Sequence, residues 1–575
     1  MTSRHLPTAP LPAPPPAPGT GHPPVNRRGF APRQRLCCGL LAAAIGWGAV
    51  APAAAQGQPA TEVRLPALGE SASDDFNLGQ EKRIGEQIMR EIRRDPDYID
   101  DPQLLDYLQA LWQPLVQAAR ARGDIGADTE HLFPYETFLV RDRSVNAFAL
   151  PGGYVGVHLG LMALTATPDE LASVLAHELS HITRRHIARS IAANSRSSSL
   201  GLAAMLLGLL VASRASSPDA AQAAIAGGQA AMIQAQLNFS RDMEREADRS
   251  GLALMGLAGF APAGMAGMFD KLDQSSRLND SGGFPYLRSH PLTVDRIGEA
   301  RQIVQAAGGP ISPPPAPLMH LLMQARARVL MDPSAQAWRR LQDLDLRGEM
   351  ASLALADRIV GLYTGALASG RLREFGRAER DASVALTLLS AGSAAGSATP
   401  ALAEPQARLA LVNLSAQLAL AGGDADRAQR VLDQGQSGGG PDPSRAGLLL
   451  RAELALAEGS APALRRSGEA LQTWVAERRE DASAWQLLAQ TTERQGLKLR
   501  SLRAEAESQA ALGNLPGAID RLRAGQQVAR RGGVGTDFIE ASVIDARLRD
   551  LLAQRRALLA EQRKPGSAQR GEAPE

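Results

Sequence analysis

The stretch TPDELASVLAHELSHI, residues 167–182, decides how this chain is read. Thr167 is a good N-cap, Pro168 suits the first helical position, and Glu170 completes a capping box. Apolar residues then recur at Leu171, Val174, Leu175 and Ile182, the spacing of a helix that buries one face. The helix is predicted to run to about Ala192. Within it His177 and His181 stand about 40° apart around the axis, so both imidazoles aim at one point. That point can hold a divalent cation, and neutral imidazoles with carboxylates suit Zn²⁺, one ion per chain. Glu178 follows the first histidine. Its carboxylate can reach the open coordination position and take a proton from a water the cation has acidified.

A candidate third ligand lies downstream, in Ser240-Arg241-Asp242-Met243-Glu244-Arg245-Glu246-Ala247-Asp248. On a helix Glu244 and Asp248 share a face, and Glu246 points nearly opposite. Asp248 can accept the second ring N–H of a ligating histidine and fix its tautomer. Taken alone, Glu244 reads as a surface carboxylate; beside the histidine pair it reads as a ligand. The bland reading of the pair itself is a solvated helix with two surface histidines. His186 follows His177 by nine residues, and nine steps of 100° carry it to the opposite face, so it is read as structural. His131, His158 and His320 lack ligand spacing and are read the same way.

The rest of the 575-residue chain bounds the setting. Hydrophobic residues make up 44% and charged residues 21%, ordinary for a globular protein long enough for two or more cores. A net charge of +2 without a dense basic block argues against a nucleic-acid partner. Aromatics are only 4%, which favours helices over sheets. The two cysteines, Cys37 and Cys38, provide neither a disulfide framework nor a thiolate metal site. Arg27, Arg28, Arg33 and Arg35 precede an apolar run from Leu36 to Val50 and then Ala53-Ala54-Ala55, the pattern of a cleaved export signal. The run is short against the ~20 residues a bilayer span needs. Arg27-Arg28-Gly29-Phe30 is faintly similar to a twin-arginine signal.

Along the chain, residues 77–121 read as amphipathic helices and Tyr135–Val140 as a strand. Ala147–Leu150 and Tyr154–Val157 read as two strands around Pro151-Gly152-Gly153. Residues 197–237 read as a helical hairpin, buried or lying against a membrane or substrate. Residues 274–292 read as a polar loop. Pro310–Pro317 is a Pro-rich linker. Beyond it the pattern is helical. Trp485-Gln486-Leu487-Leu488, Gly496, Ala511-Leu512-Gly513-Asn514 and Ala518-Ile519 resemble one tetratricopeptide unit, with weaker copies near Ile359–Leu386 and Ala407–Leu432. The alternative is a generic helical bundle.

Together, His177–His181, Ser240-Arg241-x-x-Glu244-x-x-Ala247-Asp248 and Asn146–Val155 resemble the M48 family of zinc metalloendopeptidases, which includes the CAAX prenyl and HtpX-like proteases. The resemblance covers roughly residues 75–305. It implies a mainly α fold, a zincin-like protease domain with a small β-sheet, here followed by an α-helical tetratricopeptide-repeat domain. It also implies that His177, His181 and Glu244 bind zinc, that Glu178 is the catalytic base, and that Asp248 supports a ligand from behind. A substrate-pairing edge strand is implied around Ala147, Phe148, Ala149, Tyr154 and Val155. Ser289-His290-Pro291-Leu292 with Arg296-Ile297 matches a segment that follows the core in similar proteins. His290 is then either a transition-state donor or a fourth ligand that keeps the site latent, against a loop histidine at the rim. Arg296 reads as a structural ion-pair partner before an oxyanion stabiliser.

The expected organisation is a signal-bearing extension (1–55), protease domain (56–309), linker (310–318), repeat domain (319–562) and disordered tail (563–575). Signal, M48 domain and repeats in that order are similar to a periplasmic branch of the family that acts as protease and chaperone for outer-membrane proteins. That implies an endopeptidase acting on misfolded or stalled envelope proteins. Unfolded outer-membrane proteins would be its substrates, and the repeats would contact the outer-membrane assembly machinery, with peripheral membrane association. The competing readings are a repeat-based chaperone or scaffold with latent protease activity, and a metal-binding protein without proteolysis.

Overall fold

In a computed structural model of the chain, residues 77–193, 240–278, 285–306, 316–343, 353–394, 404–435, 442–532 and 537–563 are described. The expected signal, the 197–237 stretch, most of the Pro-rich linker and the last dozen residues lie outside them. The fold is mainly helical with one four-stranded sheet.

Helix α1 (Leu78–Ile92) opens on a full capping box: Asn77 accepts from the Gln80 amide and Gln80 accepts from the Asn77 amide. Its buried face, Ile84, Ile88, Met89 and Ile92, packs on Phe138, Val140, Leu150 and Tyr154 of the sheet. The sheet comprises β1 (Tyr98–Ile99), β2 (Glu136–Val140), β3 (Ala147–Leu150) and β4 (Tyr154–His158) in the order β1-β2-β4-β3. β2 and β4 are parallel, and β3 and β4 form an antiparallel hairpin. The hairpin turns at Gly152 and Gly153, both left-handed with φ of 79° and 91°. Leu139, Val157 and Ala147 lie in register and face away from α1. There they join α2 (Pro102–Arg122) and α5 (Pro168–Thr183) in the main core.

This topology corrects one expectation. β4 is hydrogen-bonded on both sides, so Tyr154 and Val155 cannot belong to a substrate-facing edge. Of the two hairpin strands only β3, with Ala147, Phe148 and Ala149, lies at an edge of the sheet; the other edge is the two-residue β1.

After α3 (Ala127–Glu130), α4 (Leu159–Leu164) and α5 come α6 (His186–Ala193), α7 (Arg241–Leu257) and α8 (Ala263–Leu278), then α9 (Pro285–Ser289) and α10 (Val294–Ala306). The expected polar loop at 274–292 is therefore partly helical. Arg277, 74% exposed and paired with Asp273 at 2.8 Å, shows how the charged end of α8 faces solvent and carries no apolar period to read.

Helix α11 (Leu318–Leu330) packs against α4 and α2. Beyond it and α12 (Ala335–Asp343) the described chain forms helix pairs, the first four each joined by a short turn. They are α13 (Leu355–Arg371) with α14 (Phe375–Ala394), α15 (Pro405–Ala421) with α16 (Ala425–Gly435), and α17 (Arg445–Glu458) with α18 (Ala461–Glu477). The last two are α19 (Ala482–Arg494) with α20 (Lys498–Ala511), and α21 (Leu515–Arg531) with α22 (Phe538–Arg563). The three stretches that read as repeat copies fall on such neighbouring helices. Part of this region touches the first helices directly: Arg445 bonds Asp100 and Asp481, and Arg93 bonds both Glu136 and Glu480. Among the described residues no helix is long and apolar enough to cross a membrane.

Candidate active site

Helix α5 is buried from Glu170 through Ile182. Thr167 caps it by accepting from the Glu170 amide at 3.2 Å. The other half of the expected box is absent: Glu170 accepts from the Ala166 amide and from Lys271, both at 2.6 Å, so its carboxylate ties α5 to α8 instead. Two histidines and a glutamate inside so buried a helix need partners, because unpaired buried polar groups cost several kcal/mol each. The partners of the histidines come from α7 and from the segment after α9.

Ser240 caps α7, accepting from the Met243 amide at 3.2 Å. Gly251 lets α7 approach α5. A Cβ there would sit 3.3 Å from the Ala176 carbonyl carbon and the His177 nitrogen. The close approach delivers Glu244 and Asp248, both buried, to the histidines. His177 Nε2 lies 2.9 Å from His181 Nε2, 3.4 Å from Glu244 and 3.3 Å from His290 Nδ1. His181 Nε2 lies 3.5 Å from Glu244, and His290 Nδ1 lies 3.0 Å from it. One donor atom from each of these four residues falls within 4.8 Å of the others. Tetrahedral donors at about 2.0–2.1 Å from an ion stand about 3.3–3.4 Å apart, so the set fits one metal ion.

Charge makes the same point. Glu178, Glu244 and Asp248 carry three formal negative charges, Arg296 carries one positive charge, and all four are buried. With neutral histidines the sum is −2, which a divalent cation balances. Both oxygens of Glu178 lack a hydrogen-bond partner although fully buried. A carboxylate held in this way awaits a donor such as a water or a protonated substrate group. Without an ion the cluster draws protons. Burial alone would lower His177, but its bonds to Asp248 and Glu244 outweigh that and push its pKa up to about 10. Burial, with the neighbouring charge of His177, holds His181 well below the ordinary histidine range.

Behind these groups, Asp248 accepts from His177 Nδ1 at 2.9 Å. Arg296 grips Asp248 through Nε at 2.6 Å and a terminal nitrogen at 2.8 Å, and reaches Glu244 at 2.8 Å and the Pro291 carbonyl at 2.9 Å. Its nitrogens are thus committed to structural pairing rather than to an oxyanion. His290 Nε2 lies 3.6 Å from Glu178.

Two residues escaped the sequence reading. Tyr286 is buried, its ring stacked on His290 at 4.6 Å, and nothing in a segment read as loop announced it. His186 is fully buried, its Nδ1 2.9 Å from His181 Nδ1. The opposite-face argument failed because α5 stops at Thr183. Arg185 turns left-handed at φ 51°, and α6 starts afresh at His186.

The chain is similar to known proteins. The sequence profile of peptidase family M48 matches residues 107–304. A putative beta-barrel assembly-enhancing protease of Vibrio cholerae is 38% identical over 273 residues, covering 48% of this chain and 52% of that protein. The beta-barrel assembly-enhancing protease of Escherichia coli is 29% identical over 494 residues, 86% of this chain and 92% of that protein. The mitochondrial metalloendopeptidase OMA1 of Arabidopsis thaliana is 30% identical over 223 residues, 38% of this chain and 42% of that protein.

Proposed function

We propose, from the premise that this chain belongs to peptidase family M48 and is a metalloendopeptidase, that it is a zinc-dependent enzyme of the periplasm. Its substrates would be misfolded or stalled envelope proteins, during outer-membrane protein assembly. The observation that carries the mechanistic part is the convergence of four donors beside a buried glutamate whose oxygens lack hydrogen-bond partners. His177, His181 and Glu244 would hold the ion. Two imidazoles and a carboxylate are the donor set of hydrolytic zinc sites. When bound, the ion supplies Lewis-acid polarisation of the scissile carbonyl and acidifies water at the site.

The chain's own residues do the rest. Glu178 takes the proton of the attacking water and returns it to the leaving amine. Asp248, itself held by Arg296, keeps the His177 proton on Nδ1 and leaves Nε2 free. β3 lies against α5, so an extended peptide added to the β3 edge runs past Glu178. His290 stands where a fourth donor belongs, which supports a latent resting state and, with it, the second reading of a helical-repeat chaperone whose protease is held in check. The beta-barrel assembly named for two relatives supports the assembly role. The helices beyond residue 319 would hold partners.

Casein degradation by wild type and Glu178→Gln, both loaded with zinc, tests the mechanism. The variant should bind the ion and lose turnover. Equal turnover by the two proteins would remove Glu178 from the chemistry.

A further inference from the structure

Each candidate ligand histidine has a second ring nitrogen that must go somewhere. His177 sends Nδ1 directly to Asp248. The second nitrogen of His181 meets another histidine. This Nδ1 lies 2.9 Å from Nδ1 of His186, and His186 Nε2 lies 3.2 Å from Glu246 Oε2. A ligand nitrogen needs its lone pair, so Nε2 of His181 is bare and Nδ1 carries the proton. His181 then donates to His186 Nδ1, which has to be the bare nitrogen of that ring. The His186 proton sits on Nε2 and is donated to Glu246. One proton placement satisfies all four nitrogens.

We infer that His186 is a positioning residue for the metal centre, fixing the tautomer and ring plane of His181 and anchored in turn by Glu246. The inference rests on His181 being a metal ligand, as proposed above. Glu246 sits two residues from Glu244, on the far side of α7, and could not serve a ligand on a continuous α5. The left-handed Arg185 makes it possible, because the break swings His186 back under His181. Arg189 holds the Glu246 carboxylate at 3.0 Å. One stretch of α7 therefore supplies a ligand, Glu244, and an anchor for each histidine, Asp248 and Glu246. The two anchors differ. The Asp248 route is buried and locked by Arg296, whereas the Glu246 route ends on a carboxylate 38% exposed.

The test is zinc affinity of the full-length chain, measured by competition with a chromophoric chelator. His186→Leu should weaken Zn²⁺ binding about 10- to 100-fold, the usual cost of losing such a partner. His186→Asn places an amide oxygen near the lost Nδ1 and should return affinity to within about threefold of wild type. His186→Gln reaches Glu246 but offers His181 no acceptor, and should stay as weak as leucine. Glu246→Ala should cost about three- to tenfold. If leucine prevents folding, the asparagine and glutamine variants decide alone, since simple space-filling does not favour the shorter side chain. Wild-type affinity in His186→Leu, or rescue by glutamine equal to that by asparagine, overturns the inference while leaving the zinc site standing. Unchanged affinity in His181→Ala overturns the ligand reading itself, and the inference with it.

Discussion

Asp101 and Arg326, 225 positions apart, form a buried two-pronged ion pair, with nitrogen–oxygen distances of 2.7 and 2.8 Å. Asp101 also caps α2, accepting from the Leu104 amide at 3.0 Å, and Arg326 donates to the Tyr363 hydroxyl at 3.2 Å. One carboxylate thus joins the helix that backs the site to α11 and α13.

Removing the arginine strands the aspartate. Arg326→Leu should cost about 3–5 kcal/mol, the loss typical of breaking one side of a buried pair. Burial pushes Asp101 upward, but the charge and hydrogen bonds of Arg326 win and hold its carboxyl below the usual range. A depressed acid stabilises the fold above its unfolded pKa of about 4 and loses that contribution as pH falls through the folded value. Urea unfolding of the Glu178→Gln protein, with and without Arg326→Leu, measures both effects. The gap between the two should be widest near neutrality and narrow below pH ~4. A constant gap of under about 1 kcal/mol would mean the pair is idle.

His320 makes a second tie. Tyr107 donates to its Nδ1 at 2.6 Å and its Nε2–H donates to the Thr165 carbonyl at 2.9 Å, so the buried ring is held neutral. Burial lowers its pKa more than the Thr165 bond raises it. The unfolded chain therefore binds this proton more readily, and stability falls as pH drops below about 6.5. His320→Phe should be about 1–3 kcal/mol less stable at pH 8, because the Tyr107 hydroxyl and Thr165 carbonyl lose their partner. It should also show a flatter decline between pH 6.5 and 5 than wild type. Thermal melts across that range check it, and parallel curves would rule the titration out.

The helix bearing His177 was legible because its cap and its 3.6-residue period are local. Glu244 and Asp248 were legible because i,i+4 carboxylates share a face. What stayed hidden is non-local or conformationally silent. Arg185 adopts a left-handed φ without being glycine, so the break before His186 leaves no mark in the residue types. The edge of the sheet depended on strand order, and alternation within β3 and β4 says nothing about which of them is flanked. The Asp100–Arg445 contact spans 345 positions and has no period at all.

Zinc binding should release a proton near neutrality. In the ion-free protein His177 is pushed up to about 10, so at pH 7 it carries a proton that metal ligation has to displace. Calorimetric titration with Zn²⁺ in buffers of different ionisation enthalpy should return about one proton per ion at pH 7. The count should decline as pH approaches 10. Stripping the ion should lower the melting temperature, since ligand at 100 times its Kd stabilises by about 2.7 kcal/mol. No proton release at pH 7 would show that the carboxylates do not govern His177.

Gly251 sets the spacing between α5 and α7. A Cβ there meets the α5 backbone at 3.3 Å, tight enough that α7 must shift by tenths of an ångström. Gly251→Val should cost about 1–3 kcal/mol as an overpacked core position. It should also weaken zinc binding by stretching the Asp248–His177 bond. Stability lost with zinc affinity unchanged would mean that α7 moves as a unit without disturbing its ligands.

Removal of His290 tests whether the site is held latent. Its Nδ1 faces His177 and Glu244 at hydrogen-bonding range, its ring is stacked on Tyr286, and its Nε2 approaches Glu178. As a fourth donor it would take the position that substrate carbonyl and water need. His290→Ala should therefore raise casein turnover several-fold and weaken zinc binding by about tenfold or less, because three donors remain. Tyr286→Ala should move in the same direction by loosening the stacked ring. If His290 instead donates to the transition state, the alanine variant loses turnover with zinc affinity intact, and Tyr286→Ala loses it too. Turnover and zinc affinity measured together on the two variants discriminate between a histidine that closes the site and one that works in it.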